Sequence, residues 1–142
     1  MTTATCHCGA VTVSVAEGVP LALVNMCHCQ ACQRRTGSPF GSIVWVPDTL
    51  ATIAGDTRSY TRPTDEGRRF TSHFCVTCGS NIAFVAEKNP GLLGIAVGAF
   101  ADPAISPPRA SVWEDHRHPW VSVPDGALRF PQGRTVPPST ST

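Results

Sequence analysis

The sequence predicts a β-rich fold of eight to ten short strands with one short helix. Charged residues make up only 15% of the 142-residue chain against 42% hydrophobic ones, and 12 Gly and 13 Pro interrupt nearly every stretch long enough to form a helix. The runs between these breakers are rich in β-branched, apolar and aromatic side chains. The length suits one domain, and a chain of this size hides roughly two-thirds of its unfolded surface in a single core. We place that domain over residues 1–131. Pro131 to Thr142 carries three prolines, several Ser and Thr and one apolar side chain, too little to repay its ordering entropy, so residues 132–142 are expected to form a flexible tail.

Val11, Val13 and Val15 alternate with Thr12, Ser14 and Ala16, the period of a strand with one buried face. Gly18-Val19-Pro20 turns the chain, and Leu21 to Cys27 reads as the returning strand. Gln30 to Thr36 contains neither Gly nor Pro and ends at Gly37, the residue best suited to cap a helix C-terminus, so it is assigned the helix. Further strands are expected at Gly41–Val46, Thr57–Thr61, Arg69–Phe74, Asn81–Val85, Leu92–Val97, Ser111–Trp113 and Trp120–Val123.

The formal net charge is +1, and no basic run exceeds a pair such as Arg34-Arg35, so the chain lacks the footprint of a nucleic-acid binder. The residues before Cys6 have neither a basic start nor an apolar run, and no segment approaches a membrane span. A cytoplasmic, membrane-free protein is expected.

Seven cysteines would leave one thiol over in a disulfide framework, whereas four plus three metal ligands use them all. Cys6-His7-Cys8-Gly9 and Cys75-Val76-Thr77-Cys78-Gly79 each end in a glycine that tolerates the positive φ at which backbone amides turn toward sulfur. Together Cys6, Cys8, Cys75 and Cys78 form the closed tetrahedral set of a structural zinc. Cys27-His28-Cys29-Gln30-Ala31-Cys32 supplies three more thiols, Cys27, Cys29 and Cys32, and no eighth cysteine to close the set. Three ligands with an open fourth position is the pattern of catalytic zinc. Three thiolates weaken the ion as a Lewis acid and favour binding of another sulfur, which points to thiol–aldehyde or carbon–sulfur chemistry.

Competing readings exist for each group. The second site could be structural, closed by His28 or another histidine, although the neighbours of His28 on both sides face the metal and His28 is expected to face away. His7, His73, His116 and His118 are expected at the surface or in the core rather than on a metal. Arg34 and Arg35 either hold carboxylates of an anionic thiol or form a solvated helix face. Trp113, Trp120 and Phe130 are expected in the core, and Glu114, Asp115 and Asp125 read as loop charges without partners. A non-catalytic zinc module for protein interaction is the alternative to an enzyme. A methionine sulfoxide reductase-like enzyme ranks last because it needs a free cysteine beyond the ligands.

Cys-x-Cys-Gly, then Cys-His-Cys-x-x-Cys with Arg34 and Thr36-Gly37-Ser38, then Phe74-Cys75-x-x-Cys78-Gly79-Ser80 resembles the glutathione-dependent formaldehyde-activating enzyme family, which also includes centromere protein V. Gly98, Asp102-Pro103, Pro119-Trp120, Asp125-Gly126 and Phe130 extend the similarity over most of the chain. The resemblance implies layered, mostly antiparallel sheets of the β-tent type. It also implies two zinc ions, a structural one at Cys6, Cys8, Cys75 and Cys78 and a catalytic one at Cys27, Cys29 and Cys32. The activity it implies is that of a carbon–sulfur lyase resembling S-(hydroxymethyl)glutathione synthase, acting on a small thiol such as glutathione with an aldehyde; a homodimer is compatible with it. Where relatives often carry a histidine at the strand leading to the Pro-Trp element, this chain has Ser111, a change expected to bear on specificity.

Overall fold

A computed structural model describes residues 1–134. Eleven strands and one α-helix follow one another among them: β1 Thr2–Thr5, β2 Thr12–Val15, β3 Val24–Cys27, α1 Gln30–Thr36, β4 Gly41–Pro47, β5 Ala51–Ala54, β6 Thr57–Pro63, β7 Arg69–Cys75, β8 Asn81–Ala86, β9 Leu92–Ala96, β10 Ala110–Val112 and β11 Leu128–Arg129. They build two layers, a three-stranded sheet in the order β1-β2-β5 and an eight-stranded sheet in the order β11-β10-β3-β4-β9-β8-β7-β6. All pairings are antiparallel except those of β10, which runs parallel to both β3 and β11.

The layering follows from side-chain alternation. On β2 Val13 and Val15 are buried, and they meet Val44, Val46, Leu93 and Ile95 from the central strands β4 and β9 in the main core. The intervening residues Ile43 and Trp45 point to the opposite face of β4, where they form a second apolar cluster with Phe70, Phe84 and Ala86. Both faces of β4 are therefore covered, and its near-continuous apolar run is that of a strand buried on both sides. The second face carries the functional groups described below.

Helix α1 begins and ends where the sequence places it, and Gly37 caps it at φ 71° with its amide bonded to the Gln33 carbonyl. The expected hairpin between Val11–Val15 and Leu21–Cys27 does not form. β2 pairs with β1 and β5 while β3 enters the other sheet, because side-chain period specifies a buried face and not a partner. Trp120–Val123, expected as a strand, has no strand assignment, and Trp120 is 72% exposed. Phe130 is buried as expected. In the segment expected as a tail, the Gln132 carbonyl accepts the Trp113 amide at 2.9 Å, and residues 135–142 lie outside the described residues. No helix among the described residues is long and apolar enough to cross a membrane.

Candidate metal centre

The β1–β2 turn and the β7–β8 turn bring Cys6, Cys8, Cys75 and Cys78 together, with every Sγ within 4.8 Å of the others. Cys6–Cys8 and Cys8–Cys75 sulfur separations are both 3.7 Å, close to the edge of about 3.8 Å in a tetrahedron with metal–sulfur bonds of about 2.3 Å. Gly9 and Gly79 adopt φ 86° and 77°, and the amides of Val11 and Thr77 point at the sulfurs of Cys6 and Cys75 at 3.2 and 3.4 Å. The Ser80 hydroxyl and amide draw the Cys78 thiol down to about 5. Because one turn belongs to the small sheet and the other to the large one, an ion here would tie the two layers.

Cys27, Cys29 and Cys32 converge where β3 passes into α1. Cys27 ends β3 opposite Gly41 and Val112, Cys29 is the N-cap of α1, and its sulfur accepts the Cys32 amide at 3.3 Å. The three sulfurs lie within 4.8 Å of one another, and no other His, Cys, Asp or Glu among the described residues joins them. Hydrogen bonds from Cys27 and Cys29, helped by the charge of Arg35, depress the Cys32 thiol, while the Cys29 and Cys32 sulfurs push Cys27 up. Three thiols this close cannot all ionise without a cation among them, so the donor set fits a soft divalent ion.

His28 turns its ring away from these sulfurs. It is fully buried, its Nε2 lies 2.9 Å from the Ser111 hydroxyl, and its Nδ1 has no partner. Burial pushes its pKa down, which keeps the ring neutral. Ser111 is equally buried and therefore supports the cysteine loop from behind. It does not line the cavity in front. Gln33 adds to this support, donating to the His28 carbonyl at 2.9 Å and meeting His118 Nε2 at 2.9 Å.

In front of the three cysteines lies a cavity of about 190 Å³ whose inner wall is Ile43, Trp45, Phe70 and Ala86. Arg35 and Arg62 line both this cavity and a second one bounded by Arg34, Tyr60 and Asn81. Phe70 and Phe84 stack at 5.6 Å between centroids, with the Arg62 guanidinium over one ring at 5.1 Å and that of Arg35 over the other at 4.6 Å. Arg35 keeps Nε and Nη2 buried without hydrogen-bond partners, whereas Arg34 is exposed at the end of α1. Arg62 lies far from the cysteines in sequence and carries no local signal. Two expectations are corrected here. Trp113 lines the cavity instead of filling the core, and Glu114 is no idle loop charge, since it binds Arg129 through contacts of 3.0, 3.0 and 2.7 Å.

The sequence profile described as glutathione-dependent formaldehyde-activating enzyme matches residues 1–116, both cysteine groups included. The chain belongs to this formaldehyde-activating family. A crystal structure of a Rhodobacter sphaeroides protein shares its fold at a TM-score of 0.56 and 24% identity, over 74% of this chain and 91% of the other. No curated protein matches the sequence. Membership of the formaldehyde-activating family and two all-thiol groups that could each hold a metal ion fit a zinc-binding protein of this enzyme type.

Proposed function

We propose that the protein is a zinc-dependent carbon–sulfur lyase that joins a small thiol such as glutathione to an aldehyde, or cleaves the adduct. The observation that carries this reading is the convergence of three thiols, without a fourth protein ligand among the described residues, at the wall of a cavity. In it, Cys27, Cys29 and Cys32 hold the catalytic ion and Cys6, Cys8, Cys75 and Cys78 the structural one. When bound at the open site, zinc supplies a soft position at which a thiol loses its proton near neutral pH.

The chain's own residues orient and shield the reactants. Arg35, Arg62 and the more exposed Arg34 hold carboxylates of the thiol, Arg35 and Arg62 being the two that line both cavities. The thiol sulfur then forms a bond to the carbonyl carbon, the π electron pair moves to oxygen, and oxygen takes a proton from solvent. The reverse reaction breaks that carbon–sulfur bond and returns the aldehyde. Ile43, Trp45 and Phe70 keep water from one side of the reacting carbon.

The test is turnover of glutathione with formaldehyde, followed by NMR of the adduct, for the wild-type protein and Cys29→Ser with metal content measured in both. Loss of turnover together with about one metal ion per chain, at unchanged circular dichroism, supports the reading. A folded Cys29→Ser protein with full turnover for every thiol and aldehyde accepted would sink it.

A further inference from the structure

The cavity in front of Cys27, Cys29 and Cys32 is larger than formaldehyde needs, and part of its lining is an apolar wall that formaldehyde would leave unfilled. Formaldehyde has two heavy atoms, whereas about 190 Å³ is roughly six times the ~30 Å³ share of a water molecule and exceeds the ~150 Å³ that admits a benzene ring. Its inner wall is made of Ile43, Trp45, Phe70 and Ala86, side chains that offer little to the amides and charges of a peptide thiol. Arg35, Arg62, Arg69, Lys88 and Arg134 also line this cavity and suit the carboxylates of such a thiol, so the apolar wall is left for the carbon half of the substrate. Arg34, Arg35 and Arg62 border the neighbouring cavity.

Trp113 adds an aromatic rim on the side of the cysteines. Its backbone sits at φ 58°, a left-handed conformation that is rare for a bulky side chain and persists only where the surroundings enforce it. Three consecutive amides, those of Trp113, Glu114 and Asp115, are pinned to the carbonyls of Gln132, Phe130 and Pro131 at 2.9, 3.1 and 3.0 Å. The fold thus commits three long-range hydrogen bonds to a pose that leaves this indole on the cavity wall.

We propose that the carbon half of the substrate is an apolar group of aromatic-ring size, so that the protein acts on thiol adducts of larger apolar aldehydes. This deepens the lyase reading above and rests on it. The aldehyde's side chain lies against Trp45 and Phe70 under Trp113, and the bond made or broken is the same carbon–sulfur bond.

The experiment is calorimetric titration of the zinc-loaded protein with two stable thioethers, S-methylglutathione and S-benzylglutathione, beside turnover assays with formaldehyde and benzaldehyde. Burial of the phenyl ring predicts at least about tenfold tighter binding of the benzyl compound. Ala86→Leu, which fills the cavity, is expected to erase that preference. Trp113→Gly, whose glycine takes φ 58° without strain, is expected to weaken the benzyl compound several-fold more than the methyl one and guards against a folding failure of the first variant. Equal affinities, a preference untouched by both variants, or no binding of either compound while formaldehyde is still turned over would overturn this inference and leave the lyase reading standing. No binding and no turnover with any thiol–aldehyde pair would remove both.

Discussion

Glu114→Gln gives a direct measure of how firmly the C-terminal strands hold the cavity rim. The Glu114 carboxylate meets Arg129 through three contacts of 2.7–3.0 Å, with only 11% and 20% of the two side chains exposed. Removing one partner of a fully buried pair costs about 3–5 kcal/mol and of an exposed pair about 0–1 kcal/mol. Because Arg129 retains some water contact, and glutamine keeps one acceptor, a loss of about 2 kcal/mol is expected. For a chain of this length that corresponds to a fall in melting temperature of about 4–8 °C. Burial alone would raise the Glu114 pKa, but the Arg129 hydrogen bonds and charge outweigh it and hold the carboxyl below its usual value.

The sign of the pH dependence follows. A carboxyl depressed on folding stabilises above its unfolded pKa of about 4.3, and that stabilisation is lost as pH falls through the lower folded value. Thermal unfolding followed by circular dichroism should therefore show a constant gap between wild type and Glu114→Gln from about pH 7 to about pH 5, closing below about pH 4. A gap under about 1 °C at neutral pH, or one that persists unchanged to about pH 3, refutes the reasoning.

Cys8→Ser and Cys29→Ser are each expected to lose about one metal ion per chain by elemental analysis, but Cys8→Ser should lower the melting temperature more, because only its site joins turns of the two sheets. Gly94→Ala places a methyl 2.8 Å from Ile43 Cγ2 and 2.9 Å from the Trp45 ring; denaturant unfolding should show a loss of about 1–3 kcal/mol from overpacking. Ser111→Ala strips the buried His28 ring of its single hydrogen bond and should cost about 1–3 kcal/mol in the same assay.

What was legible in the sequence was local. Two- and three-residue spacings placed each cysteine group, Gly9 and Gly79 marked the turns that join the structural set, and Gly37 marked the end of α1. Val11, Val13 and Val15 told which face of β2 is buried, but the partners of β2 depend on contacts with Ala51–Ala54, a segment too short and exposed to announce itself as a strand. The cavity was illegible for the same reason. Trp45, Phe70 and Ala86 stand on three different strands, and only the order β4-β9-β8-β7 brings them to one face.

Position 111 shows how the two kinds of information combine. Read from sequence alone, Ser111 is expected to bear on substrate specificity. Yet Ser111 is wholly buried, with its hydroxyl 2.9 Å from His28 Nε2. Its hydroxyl satisfies the imidazole of a residue that stands between Cys27 and Cys29 in the chain, so its effect reaches the candidate site through the orientation of those two thiols. The residues that can discriminate substrates are then the ones that border the open side. Among these Trp113 lies only two positions along the chain from Ser111, with its side chain on the cavity wall. Exchange of Ser111 alone should therefore alter metal retention, read by elemental analysis, before it alters the choice of aldehyde, whereas exchange of Trp113, which lines the cavity, should do the reverse.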